Sequence, residues 1–173
     1  MIEKLVTSSL KLGVIAGGQL GKMLIQEASK WDITTYVLDP DEGCSARGVA
    51  SVYVKGDFRD YNAVYDFGKQ VDILTYELED INIEALQKLK EEGLKIQPDP
   101  DVLALIQDKG LQKEFYAKHD LPTSPFICCC DDEIEEALQS AEIEYPFVQK
   151  LRKGGYDGRG VSLIHSSEDE LLK

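Results

Sequence analysis

Lys150 stands shortly before Gly154-Gly155-Tyr156-Asp157-Gly158-Arg159-Gly160, a run with four glycines in seven positions. So many glycines let backbone approach a ligand closely. Backbone amides in such a loop can fold over phosphate oxygens, and a lysine on the incoming strand adds a cation. The chemistry suggested is binding of a nucleoside triphosphate. Tyr156, Asp157 and Arg159 bring reactive groups that a plain turn would not need. Lys150, Arg152, Lys153 and Arg159 together would form a local cationic pocket.

A second glycine turn lies near the start of the chain. Read as Ala16-x-Gly18-x-x-Gly21, it is a dinucleotide fingerprint with alanine in place of the first glycine. Such a turn frees helix N-terminal amides to face an anion. Asp39 follows at the distance where a ribose-binding acid would sit. The alternative is a tight turn that only packs helix on strand. Gln19, a polar side chain at the mouth of the turn, favours ligand contact. Glu77 and Glu79 follow an apolar strand, so either could accept a hydrogen bond from a hydroxyl or amine. A solvated acidic loop is the other reading. Lys109, in Gln107-Asp108-Lys109, could reach a phosphate, or be a surface lysine beside an N-capping aspartate. His119 and His165 lack partners at metal-ligand spacing, and no Ser-His-Asp or Cys-His arrangement is present.

These residues need a scaffold, and the sequence supplies alternating elements. Leu10 to Ala16, Thr34 to Leu38, Ser51 to Val54, Val71 to Thr75 and Lys95-Ile96 read as strands. Helices are expected from Leu20 to about Trp31, from Asp60 to about Lys69, and from Asn82 to Glu92 with Gly93 closing it. Two more cover Asp101 to Ile106 and Lys109 to Lys118. This alternation predicts an α/β fold with a Rossmann-like parallel sheet covered by helices. Leu121-Pro122-Thr123-Ser124-Pro125 predicts a domain boundary. After it come a strand from Phe126 to Cys130, a helix from Asp132 to Ser140, and strands Phe147 to Leu151 and Val161 to Ile164. Ser167-x-x-Glu170 resembles a capping box. We therefore expect a domain over 1–120 and a second over 121–173. The second is too short to bury a core alone, so the chain is expected to stop inside a domain.

Composition narrows the partners. A net charge of −13 over 173 residues opposes nucleic-acid binding. No apolar run is long enough to span a bilayer, and the first residues lack the features of a signal peptide. Cys128, Cys129 and Cys130 are poorly placed for a disulfide framework, and Cys-x-x-Cys spacing is absent. They are expected to be buried or half-buried strand residues in a reducing cytoplasm.

Taken in order, Gly17-Gly18-Gln19-Leu20-Gly21-Lys22-Met23-Leu24, Val37-Leu38-Asp39-Pro40, Glu77-Leu78-Glu79, Gln107-Asp108-Lys109 and Lys150 with the glycine loop resemble the N5-carboxyaminoimidazole ribonucleotide synthase family of the ATP-grasp superfamily. The resemblance implies a pre-ATP-grasp domain, like the N-terminal domain of biotin carboxylase, followed by the start of an ATP-grasp α+β lid domain. It implies ATP contacts at Lys109, Lys150, Gly155, Tyr156, Asp157, Gly158, Arg159, Gly160 and Val161. It places Gly18, Gln19, Leu20 and Glu77 at the aminoimidazole ribonucleotide, and gives Tyr156, Asp157 and Arg159 catalytic roles. The implied reaction carboxylates that ribonucleotide with bicarbonate and ATP in purine biosynthesis. Mg2+ is the implied cofactor, with ligands expected outside this chain. Full-length members are implied to be cytoplasmic homodimers. Other ATP-grasp ligases and a non-catalytic Rossmann-type nucleotide-binding module are the alternatives.

Overall fold

The computed structural model describes residues 9–130, 133–140, 143–155 and 159–172. The chain divides into two compact units between Ala104 and Leu105. In the first, β1 (Lys11–Ile15), α1 (Gln19–Ser29), β2 (Thr34–Asp39), β3 (Val52–Lys55), α2 (Tyr61–Gly68), β4 (Ile73–Tyr76), α3 (Ile83–Glu91) and β5 (Lys95–Gln97) follow in order. The five strands are parallel, in the order β3-β2-β1-β4-β5. The chain enters at β1, builds outward through β2 and β3, then crosses to β4 on the other side. The β1–β4 junction is thus the point where strand order reverses, and open α/β sheets bind ligands outside the carboxyl ends of strands at that point.

The apolar runs of the strands have a simple cause, since helices cover a parallel sheet on both faces. Val14 and Val37 pack with Ile25 of α1 and Ala46. Ile15, Leu38 and Leu74 pack with Val64 and Phe67 of α2 and Leu86 and Leu89 of α3. Each fully buried side chain of this size stabilises the fold by about 1.5–3 kcal/mol relative to exposure. The helices start where their caps dictate. The Asp60 carboxylate accepts the Ala63 N–H, and the Asn82 side chain accepts that of Ala85. Gly93, with φ of +92°, ends α3 in the left-handed conformation that suits glycine.

Helix α4 (Pro100–Gln107) crosses the division between the units. The second unit contains α5 (Lys109–Lys118), α6 (Ile134–Gln139), β6 (Phe147–Lys150) and β7 (Val161–Ile164). β6 and β7 form an antiparallel pair around the glycine loop. Within this unit Lys113 donates to the hydroxyls of Thr123 and Ser124, tying the two-proline segment to α5.

Three expectations for the second unit are corrected. Phe126 to Cys130 is not a strand, because its backbone joins no ladder among the described residues. Without a ladder its side chains have no sheet to cover, and Cys128, Cys129 and Cys130 are exposed rather than buried. Near the C-terminus the reciprocal box forms one residue early, and as a turn. The Asp169 carboxylate accepts the His165 and Ser166 N–H groups, and the Ser166 hydroxyl accepts that of Glu168. Among the described residues no helix is long and apolar enough to cross a membrane.

Candidate functional site

At the strand-order reversal, the turn after β1 is built by contacts that exclude larger side chains. Ala16 sits at φ of +76°, a left-handed conformation in which a side chain costs roughly 1–2 kcal/mol. A Cβ on Gly17 would lie 2.6 Å from Cys44 Sγ, and one on Gly21 would lie 2.4 Å from the Ala16 carbonyl oxygen. The Gly17 carbonyl accepts the Ala46 N–H at 2.8 Å, fastening the turn to the loop after β2. Gly18 is the N-cap of α1, so the first amides of that helix lack intrahelical partners and face the carboxyl edge of the sheet.

Glu77 follows β4, next to β1 in the sheet, and its Oε1 would lie 2.8 Å from a Cβ on Gly18. Burial, and then the charge of Asp39, push the Glu77 carboxyl above its ordinary pKa. Of the two candidate acids, Glu77 is therefore the one set against the turn, while Glu79 is exposed on the loop beyond. Gln19 Nε2 donates to the Ser45 hydroxyl at 3.0 Å, a contact no spacing pattern announces. Leu20 remains 62% exposed beside it on α1. The arrangement offers hydrogen-bond acceptors from Glu77 and Gln19 and donors from the helix start, which suits a ligand rich in hydroxyl and amine groups.

Asp39 does something different from binding a ribose. It is buried, with Oδ2 accepting the Gly17 N–H at 2.7 Å and Oδ1 accepting the Asp41 N–H at 2.8 Å. Both oxygens are engaged in holding the turn to the end of β2.

In the second unit, the order of the site rests on Asp108. Only 3% exposed, it caps α5 by accepting the N–H groups of Gly110 and Leu111. The same Oδ1 accepts from Arg152 Nε at 2.6 Å, and Lys153 Nζ lies 3.7 Å from the other oxygen. Burial works to raise the Asp108 carboxyl, but the Arg152 hydrogen bond and the Leu111 amide outweigh it and hold the pKa below its ordinary value. Next to it, Lys109 donates its backbone N–H to the Arg152 carbonyl and its ammonium to the Gly155 carbonyl at 2.9 Å. Lys109 and Gly155, two of the expected ATP-binding residues, are thus brought together. Arg152 and Lys153, expected in an open cationic pocket, are instead paired with a buried carboxylate.

Lys150 and Val161 face each other across the hairpin, and Val148 faces Leu163. All four are exposed, giving an apolar strip with a lysine at its end. Such a strip can take a flat apolar ring and an attached anion. Gly160, at φ of +67°, returns the chain by donating no side chain where Leu151 packs, and its carbonyl accepts the Leu151 N–H. Arg159 is exposed at the loop's exit. Tyr156, Asp157 and Gly158 lie outside the described residues. Among the described residues no group of three or more His, Cys, Asp or Glu side chains could hold a metal ion. Those residues therefore do not fit a magnesium site.

Comparison with known proteins agrees with this division. The family model of the ribonucleotide synthetase preATP-grasp domain matches residues 9–107, and that of the ATP-grasp domain matches residues 114–171. The N5-carboxyaminoimidazole ribonucleotide synthase of Staphylococcus aureus is 37% identical over 159 residues, which cover 91% of this chain and 42% of that protein. The crystal structure of the Staphylococcus aureus N5-carboxyaminoimidazole synthetase complexed with ADP superposes with a TM-score of 0.85 at 35% identity, over 95% of this chain and 43% of that one. The Aspergillus clavatus N5-carboxyaminoimidazole synthase in complex with ADP and 5-aminoimidazole ribonucleotide gives a TM-score of 0.77 at 29% identity, over 92% and 41%. The chain thus spans about two fifths of the length of the relatives it matches.

Proposed function

The chain belongs to the ribonucleotide synthetase preATP-grasp family, and from that membership we propose that it serves the ATP-dependent carboxylation of 5-aminoimidazole ribonucleotide by bicarbonate. The product is N5-carboxyaminoimidazole ribonucleotide, an intermediate of purine biosynthesis. The observation that carries this reading is the presence, in one chain, of the close approach of Glu77 to Gly18 and the Lys109–Gly155 contact, each in a region matched by the corresponding family model. In this reading ATP first transfers its γ-phosphoryl group to bicarbonate. The exocyclic amine of the ribonucleotide then attacks the carboxyl carbon of carboxyphosphate, phosphate leaves, and the nitrogen loses a proton.

Lys109, Lys150 and the amides of Gly155 to Val161 offset the charge of the phosphoryl group in flight. Glu77 and Gln19 accept hydrogen bonds from the ribonucleotide, with Gly18 and Leu20 forming the floor of its site. Tyr156, Asp157 and Arg159 act at the loop, where exclusion of water protects a labile acyl phosphate. When bound, Mg2+ would neutralise the phosphates. The full-length protein is proposed to be a cytoplasmic homodimer.

A dinucleotide-binding module is the second reading, and Asp39 speaks against it. The acid that would hold a ribose has both oxygens on backbone amides. The deciding assay measures phosphate release from ATP and bicarbonate, with and without 5-aminoimidazole ribonucleotide. It is run on this chain and on the protein completed to its relatives' length. Stimulation by the ribonucleotide in the completed protein is expected. Stimulation by formate and glycinamide ribonucleotide instead would assign a transformylase, and tight NAD binding without response to ATP would assign the dinucleotide module.

A further inference from the structure

Arg152 and Asp108 look at first like a surface cation and a helix cap, yet their contacts join everything that places Lys109. We infer that Asp108 and Arg152 act as one strut, a pair of positioning residues that sets the Lys109 ammonium against the base of the glycine loop. The inference rests on the reading of Lys109 as a phosphate contact.

Four observations support it. Asp108 Oδ1 receives three donors at once, from Gly110, Leu111 and Arg152. The first two fix the start of α5, and the third fixes the segment that follows β6. Between them the Lys109 N–H meets the Arg152 carbonyl at 2.9 Å, so the backbones of both segments are joined beside the side-chain pair. The Lys109 ammonium then reaches the Gly155 carbonyl. Finally, a Cβ on Gly110 would lie 2.9 Å from Arg152 Nε and 3.1 Å from its Cζ. Gly110 therefore leaves room for the guanidinium to cross the first turn of α5.

The energetics favour a positioning role. A carboxylate this buried is costly unless its charge is compensated. Arg152, whose side chain keeps 54% of its exposure, supplies that charge from the solvent side. Charge-assisted bonds of this length are directional as well as strong. A guanidinium held in this way is a poor phosphate ligand, but it fixes the carbonyl to which Lys109 is bonded. The strut therefore affects the nucleotide through the placement of Lys109, and neither partner touches the nucleotide.

The test uses Asp108→Asn, which keeps an acceptor for the helix cap, Arg152→Met, Arg152→Lys, Lys109→Met and the double variant Asp108→Asn with Arg152→Met. ATP affinity of the chain, amide exchange at Lys109 and thermal stability are measured for each. Asp108→Asn and Arg152→Met are each expected to weaken ATP about tenfold and to speed Lys109 amide exchange about tenfold. The double variant should do no more than either single one, because one strut is broken once. Arg152→Lys should recover most of the loss, since it keeps the cation. Since Arg152 is half exposed, Arg152→Met decides the matter even if Asp108→Asn folds poorly. Losses that multiply to about a hundredfold in the double variant overturn the strut. So does unchanged affinity in Asp108→Asn and Arg152→Met where Lys109→Met binds weakly. If ATP binding is absent, or indifferent to Lys109→Met, the phosphate role of Lys109 fails and the inference fails with it. The ribonucleotide-stimulated assay then judges the proposed function separately.

Discussion

Gly21→Ala is the sharpest probe of how α1 is seated over the sheet. The added Cβ would lie 2.4 Å from the Ala16 carbonyl oxygen, whereas ordinary contact begins at 3.4 Å. The helix start and the strand end must therefore separate by about 1.0 Å. Neither side yields cheaply. Ala16 is already in the left-handed region, and its N–H is bonded to the Leu38 carbonyl. On the other side, Ile25 of α1 is fully buried against Val14 and Val37. Overpacking of this kind costs about 1–3 kcal/mol, and an obstacle made of backbone belongs at the upper end. Alanine returns about 1 kcal/mol through its better helix propensity. The net loss is then about 2 kcal/mol. In a unit of this size each kcal/mol moves the midpoint by about 4–8 °C, so the unfolding of the first unit should drop by about 8–16 °C. Circular dichroism melts and urea titrations read it directly. Gly48→Ala is the control, because its Cβ would enter open space, and it should stay within about 0.5 kcal/mol of wild type. If Gly21→Ala melts at or above the wild-type temperature, the close approach of α1 to Ala16 is not a steric requirement and the argument fails.

Asp39→Asn should cost about 2 kcal/mol in urea unfolding, since a buried carboxylate would lose its charge-assisted bonds to the Gly17 and Asp41 amides; a loss below about 0.5 kcal/mol would remove Asp39 from the turn. Glu77 is raised by burial and then by Asp39, so folding takes up a proton there. Its contribution is complete below the ordinary value of 4.5 and is lost as pH rises through the raised value. Glu77→Gln should therefore raise the melting temperature at pH 7 while weakening the ribonucleotide response, and the stability gain should close as pH falls towards 4.5; a gain that is constant with pH would contradict this. Ellman's reagent should modify three thiols rapidly and Cys44 slowly, as Cys128, Cys129 and Cys130 are exposed and Cys44 is only partly so; one rapid thiol or none would restore the buried reading of the cysteine run.

What could be read from the sequence and what could not differ in the range of the forces involved. The five strands, the caps at Asp60, Asn82 and Asp108, and the Gly93 helix end depend on neighbours within a few residues, so spacing and residue type announce them. The alternation of strand and helix announces a parallel sheet, but the order β3-β2-β1-β4-β5, and with it the meeting of Gly18 and Glu77, is set by pairing between strands distant in sequence. Phe126 to Cys130 shows where that reasoning stops. Its residues suit a strand, but strand character is completed only by a partner backbone, and no local pattern reports one. Asp39 and Asp108 show the same limit in another form. Each is legible as an acid at the end of a strand or the start of a helix, yet its role is set by groups distant in sequence. Gly17 reaches forward to Asp39 across 22 positions, and Arg152 reaches back to Asp108 across 44. A carboxylate facing solvent or a ligand and one buried on backbone amides have the same letter in the sequence. They differ in how many donors converge on them. That difference makes Asp39 a clamp on the turn, and lets Asp108 hold Arg152 while still capping α5.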